Sequence, residues 1–208
     1  RRSTFDVKRS TYDVRRMTHK LPTQRPNKGG TVVSETLIGE VLGKARGGGA
    51  DYAELYVERW RRRTLRMLSG QVKEANSGIE FGAGLRLFYG TDVVYAYTND
   101  LTAEGLLELT ETLVKLKGQT GKVDTSGKGG LDFRKTLSTG LHTPQIPFET
   151  HDKRYRLERL REAEAAAQVA PEIKQVQTQM LEWEQDVLVA ASDGTWAEDK
   201  RVRSRYVV

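Results

Sequence analysis

The densest group of chemically capable side chains is Arg59-Trp60-Arg61-Arg62-Arg63, followed closely by Arg66. Guanidinium groups beside an indole can grip phosphates and stack on a base, so this cluster is a candidate contact for nucleic acid or an acidic partner. The same residues also suit a solvated strand end and turn, with Trp60 covering a sheet edge. Histidine chemistry is thin. None of His19, His142 and His151 has a second histidine or a carboxylate three or four residues on, the spacing that sets two metal ligands on one helical face. His151 precedes Asp152 at a predicted helix start, where a polar capping role fits. The chain has no cysteine, which removes thiolate ligands and disulfides. No G-x-S-x-G elbow occurs, and Ser77 and Ser192 stand beside turn glycines, where turn chemistry favours serine. Gly82-Ala83-Gly84 begins like a dinucleotide fingerprint but lacks the third glycine. It falls within a strand pattern, where glycine lets another group approach closely. No catalytic residue and no metal ligand can therefore be named.

The elements that would position these residues read as follows. Leu37, Ile38, Val41, Leu42 and Ala45 form one helical face behind Ser34 and Glu35, and Gly47–Gly49 is a helix stop rather than a phosphate loop. From Asp51 the period changes to two: Ala53, Leu55 and Val57 share one side of a strand, and Leu65 and Met67 continue the pattern on a second. Ser69-Gly70 predicts a tight hairpin before Gln71–Ala75. Along Ile79–Tyr89 the odd residues Ile79, Phe81, Ala83, Leu85, Leu87 and Tyr89 point one way. Gly90-Thr91-Asp92 turns the chain into Val93–Thr98. Asn99, Asp100 and Thr102 offer caps for a helix carrying Leu106, Leu109, Leu113 and Leu116, which Gly118 ends. Six glycines between Gly118 and Gly140, then Pro144 and Pro147, mark a domain boundary. Asp152 caps a third helix with Leu157, Leu160, Ala163 and Ala167 inward. Strands are expected at Ile173–Glu182 and Val187–Ser192, and Asp193-Gly194 predicts a hairpin into a strand edged by Arg201, Arg203 and Arg205.

The expected fold is α+β: an antiparallel sheet packed with helices, followed by a second helix-plus-antiparallel-strand portion that looks truncated. The organisation is a basic arm at 1–30, a first domain at 31–118, a glycine-rich connection at 119–150 and the start of a second, central domain at 151–208. The arm carries the tandem repeat RSTFDVK (Arg2–Lys8) and RSTYDVR (Arg9–Arg15). It also carries the charge. The net charge is +6, yet residues 1–30 hold nine basic residues against Asp6 and Asp13. The rest, with 25 basic and 26 acidic residues, is nearly neutral. Phosphate binding would thus have to come from the arm or from a local patch. No apolar run approaches the roughly 20 residues of a membrane span.

Several stretches together resemble the TldD/PmbA family, first called modulators of DNA gyrase. They are DYAELYVE (Asp51–Glu58), the run from Ser69 to Glu74, SGIEFGAGLRL (Ser77–Leu87), YAYTNDL (Tyr95–Leu101) and EWEQDVLVAASDGTWAED (Glu182–Asp199). The match is closer to the TldD branch than to the PmbA branch. The resemblance implies a cytoplasmic zinc metallopeptidase acting on unfolded or small peptides, bound by strand-like backbone pairing. It also implies pairing with a second family member, as a homodimer or with an inactive PmbA/TldE-like subunit. In that family an HExxxH helix and a distal cysteine hold the metal, and the motif's glutamate is the general base. Neither occurs here, so zinc is implied for the full-length family member and no cofactor for these residues. The chain is expected to be the non-catalytic N-terminal portion, supplying substrate-chamber and subunit-contact surfaces. A stand-alone module binding nucleic acid or an acidic protein through the arm and Arg59–Arg66 is the alternative.

The arm holds few apolar residues to bury. Deleting residues 1–30 is therefore expected to leave the melting temperature nearly unchanged. A fall of several degrees in calorimetry would show that the arm packs on the body.

Overall fold

Strand pairing on both sides of one long strand organises the molecule. The structure is a computed structural model that describes residues 33–116, 131–137 and 143–208. The basic arm and most of the glycine-rich connection lie outside the described residues. Helix α1 (Glu35–Gly47) begins on Ser34, whose hydroxyl accepts the Leu37 N–H, and buries Ile38, Val41, Leu42 and Ala45. Gly48 follows it. A Cβ there would stand 2.5 Å from a Val114 methyl, so the approach of the two helices requires glycine.

Strands β1 (Tyr52–Leu68) and β2 (Gln71–Tyr89) form one long hairpin. Ser69 and Gly70 both take positive φ, 46° and 78°, the pattern of a type I′ turn whose twist matches the strands. A bulge follows at once: Arg66 faces Glu74 and Met67 faces Val72, leaving Lys73 as the extra residue. β3 (Asp92–Thr98) pairs with the second half of β2, and α2 (Ala103–Leu116) returns across the sheet. Asp100 accepts from Thr102, and the Thr102 hydroxyl accepts the Gly105 N–H, so two of the three offered caps, Asp100 and Thr102, are used. The buried stripe of α2 is Leu106, Thr110, Leu113 and Val114, with Leu109 partly buried. Leu116, expected in that stripe, is the last helical residue and is exposed.

β4 (Arg134–Leu137) precedes a short 3₁₀ turn at Phe148–Thr150 and α3 (Lys153–Ala167). Strands β5 (Gln177–Ala191) and β6 (Thr195–Val207) complete a sheet that has six strands among the described residues, in the order β3-β2-β1-β5-β6-β4. Every pairing is antiparallel except β4 with β6, so the sheet is mixed. The fold is α+β as expected, and one sheet runs through both portions that the sequence separates. Three expected strand breaks are absent. β1 does not stop at Glu58, β2 is continuous from Gln71 to Tyr89, and β5 runs through Glu182–Val187. The apolar alternation pauses at each, but the backbone stays paired: on β1 and β5 charged side chains meet opposite charges, and on β2 the uncharged Asn76, Ser77 and Gly78 lie opposite Thr64, Arg63 and Arg62.

The described helices all lie on one face of the sheet. Under α1 and α2, Ala53, Leu55, Val57, Leu85, Leu87, Leu188, Ala190 and Trp196 join the main core. Each fully buried large apolar side chain there contributes about 1.5–3 kcal/mol. α3 covers a second, smaller cluster of Met67, Met180 and Leu160, flanked by Leu65 and Leu157. Among the residues expected inward on α3, Ala163 and Ala167 are only partly covered. The helix instead buries Arg156, which donates from Nε to both Glu182 oxygens at 2.9 Å. Its Nη atoms donate to the carbonyls of Phe148, His151 and Asp152, tying down the approach to the helix.

With so little apolar surface on α3, this buried pair decides where the helix sits. Replacing one partner leaves an uncompensated charge, so Arg156→Met is expected to cost about 3–5 kcal/mol in urea unfolding. The double variant Arg156→Met/Glu182→Met should recover most of that loss. A single variant as stable as the parent would show that the pair contributes nothing to seating α3.

Candidate functional site

The six residues of the arginine cluster lie in the middle of β1, flanked by β2 and β5, rather than at a strand end or turn. Trp60 accordingly covers no edge. The pleat divides the cluster between the two faces. Arg59, Arg61 and Arg63 follow Ala53, Leu55 and Val57 onto the helix-bearing face, and the register places them directly opposite Asp186, Glu184 and Glu182. Arg59 donates to Asp186 from Nε at 3.0 Å and Nη2 at 2.5 Å. Arg61 donates to Glu184 at 2.8 Å and also to Glu149. Arg63 stands 3.6 Å from Glu182 and 3.7 Å from Glu149. The result is a ladder of three rungs, each an arginine facing an acid. It fills the interval between the two apolar clusters.

Burial alone would push the Glu149 carboxyl up, but its backbone hydrogen bond and the positions of Arg61 and Arg63 outweigh that and hold it below the ordinary range. On the other face, Arg66 pairs with Glu74 at 3.5 Å, and the Arg62 guanidinium lies 4.5 Å over the Trp60 ring. Four of the five arginines are thus neutralised within the fold. They do not form a continuous positive strip for phosphates.

The opposite sheet face carries no described helix. Tyr56, Glu58, Trp60 and Arg62 from β1 emerge here, with Leu181, Trp183, Gln185 and Val187 from β5 and Tyr95 and Tyr97 from β3. Tyr95 closes over Gly84, where a Cβ would meet its hydroxyl at 2.9 Å. That close approach accounts for glycine within the strand. At the centre of this face, one oxygen of Glu58 accepts three hydrogen bonds. The donors are the Tyr56 hydroxyl, the Trp60 indole N–H and the Gln185 amide, each at 2.9 Å. Burial opposes the Glu58 charge, but these three donors and nearby Arg62 outweigh it, so its carboxyl titrates below the ordinary range. The same burial, together with the bond to Glu58, pushes the Tyr56 hydroxyl up to about 12. Neither Gln185 nor Trp183 was singled out from the sequence, because only strand register brings them beside Trp60.

His151, the described histidine, stacks on Tyr155 at 3.8 Å, while the capping carboxylate is Asp152, which accepts the Tyr155 N–H at 2.8 Å. The expected capping role therefore belongs to its neighbour. Among the described residues no group of three or more His, Cys, Asp or Glu stands where it could hold a metal. The described donor set thus does not fit zinc. Beside α3 lies an open groove of about 260 Å³, lined by Arg63, Leu65, Val72, Leu157, Met180 and Glu182 among others.

One sheet, helices on a single face and an aromatic second face define a recognisable type of domain pair. Residues 53–117 match the family model described as PmbA/TldA metallopeptidase domain 1, and residues 146–208 match the PmbA/TldA metallopeptidase central domain. Together they span more than half of the chain, and the chain belongs to the PmbA/TldD family. Solved structures agree in fold. A Thermotoga maritima protein named as a modulator of a DNA gyrase aligns over 83% of this chain and 38% of its own, with 13% identity and a TM-score of 0.63. A Bacteroides thetaiotaomicron protein named as a modulator of DNA gyrase aligns over 82% and 38%, with 15% identity and a TM-score of 0.63. TldE from Thermococcus kodakarensis aligns over 81% and 37%, with 13% identity and a TM-score of 0.60. The chain therefore spans well under half the length of these structures. Among the described residues no helix is long and apolar enough to cross a membrane.

The Glu58 site generates a pH prediction. A carboxyl whose folded-state pKa is lowered contributes stability above its unfolded value, near 4.5. That stability is lost as pH falls through the folded pKa. Glu58→Gln should therefore flatten the loss of stability below that pH, measured as urea midpoints across an acid series. An unchanged acid limb would show that the three hydrogen bonds do not favour the charged form.

Proposed function

We propose that this chain is the non-catalytic N-terminal portion of a TldD-like zinc metallopeptidase of the cytoplasm that processes unfolded or small peptides. Its two successive parts, 31–118 and 151–208, would supply walls of the substrate chamber and contacts to a second family member. The observation that carries this reading is the side-by-side match of both family domains on one sheet whose second face stays bare and aromatic. A surface with half-buried tryptophans and a fixed polar hub is suited to contact another polypeptide. The outer edge of β2 adds to this. β3 pairs only with residues 83–89, so Gln71–Gly82 has no outer strand partner among the described residues. An extended peptide can add to such an edge by main-chain hydrogen bonds.

The chain's own role in this scheme is to bind, orient and enclose. Its described residues neither hold the metal nor supply the general base. The alternative of a nucleic-acid module built on Arg59–Arg66 is disfavoured by the internal ion pairs of Arg59, Arg61, Arg63 and Arg66.

Two measurements on the purified 208-residue chain test the reading. It should bind no stoichiometric zinc by elemental analysis, and it should not cleave an unfolded peptide. Tight zinc at one equivalent, or cleavage abolished by a chelator, would overturn the assignment of these residues to the non-catalytic part.

A further inference from the structure

The bare face is not uniform. Across three adjacent strands Arg62, Trp183 and Arg203 stand side by side, and the next row carries Thr64, Leu181 and Arg205. Arg62, Arg203 and Arg205 are exposed, and none forms an ion pair with a described carboxylate. This differs from Arg59, Arg61, Arg63, Arg66, Arg86 and Arg201, which each have an acid partner. Three guanidiniums without an ion pair to a described carboxylate, around a half-buried indole on a face without a described helix, form a contact of defined charge.

Geometry limits what that contact can hold. Arg203 and Arg205 are two residues apart on β6, which spaces their side chains by about 7 Å on one face. Arg62 and Arg203 are separated by two strand spacings, about 10 Å. Two carboxylates at alternate positions of an extended peptide have the first spacing, and an apolar side chain between cations matches the position of Trp183. The cationic area ends quickly. Glu58 occupies its hub on the β1 side, Glu80 lies opposite Trp60 on β2, and Asp199 already holds Arg201. Nucleic-acid binding by counterion release commonly draws on about 6–10 phosphate contacts, and three arginines bounded by acids fall well short of that. A short acidic segment needs only two or three charge-assisted bonds.

We propose that Arg62, Arg203 and Arg205, with Trp183 between them, bind an acidic unstructured peptide segment. Two of its carboxylates, at alternate positions, are held by Arg203 and Arg205, and an apolar side chain rests against Trp183. This deepens the peptide-handling reading above and rests on it: the chamber wall formed by this sheet selects for negative charge.

The test is fluorescence anisotropy on the full chain. One labelled peptide carries Asp-x-Asp beside a phenylalanine, a second carries Asn-x-Asn in the same context, and a third probe is a short oligothymidylate. The acidic peptide should bind, weaken with added salt, and lose about tenfold or more in affinity on Asp→Asn replacement. The same loss is expected for Arg203→Ala/Arg205→Ala and for Arg62→Ala. These residues are exposed, so circular dichroism should show the variants folded. Lys115→Ala, an exposed cation on α2, should leave binding unchanged. Equal binding of the Asp and Asn peptides would overturn the charge preference while leaving the peptide-contact reading intact. Failure of every peptide to bind would overturn both. Tighter binding of the oligothymidylate, lost in the same variants, would overturn the peptide assignment in favour of single-stranded nucleic acid.

Discussion

The pairing of β1 with β5 carries more of this structure than any single apolar cluster. β1 comes from the first family domain and β5 from the central one, and they stay in register from Glu54–Ala191 to Leu68–Gln177. Midway, the helix-bearing face would be an apolar desert, since α1 and α2 cover one end and α3 the other. The register places three arginines directly against three acids in that interval. Half-buried pairs of this kind add little net stability, because desolvation offsets attraction. Their effect is on register. A slip by one residue would carry each arginine to the opposite face and would set the three acids against residues drawn from Glu58, Trp60, Arg62 and Thr64, so that two of the three rungs would lose their arginine.

That register in turn separates two chemistries. The helix-bearing face is closed and internally neutral, with every rung occupied and α3 locked by Arg156 and Glu182. The second face holds a fixed polar hub at Glu58, half-buried tryptophans and the three arginines left without described acids. A protein that only needed to fold would have little use for a face of that composition. The low identity to the solved relatives means that shared fold, rather than shared side chains, links this chain to them.

The elements were largely legible from sequence because their signals are local. Ser34 and Asp152 act as caps through hydrogen bonds within their own first turns, and Ser69-Gly70 forms a turn that needs positive φ at both positions. Continuity of the strands was not legible. Apolar alternation stops at Glu58 and at Glu182, and those two interruptions stabilise each other only when the strands they interrupt lie side by side. β4 was missed for a related reason: a four-residue strand in a glycine-rich stretch gains its hydrogen bonds from β6, some sixty residues later. The arginine cluster was visible as composition, but its meaning was not. Sequence spacing showed which residues alternate, while only the neighbouring strands showed which alternate set is neutralised.

Composition and local pattern by themselves determined the α+β class, the helix caps, the tight turns and the neutral body behind a basic arm. These depend on backbone geometry and side-chain type within a few residues. Tertiary structure alone decided that Arg59, Arg61 and Arg63 are internal braces, that Glu58 gathers three donors, and that Arg62, Trp183, Arg203 and Arg205 form one surface. Charge and hydrogen bonding act through space over a few ångströms, and the residues concerned lie up to about 140 positions apart along the chain.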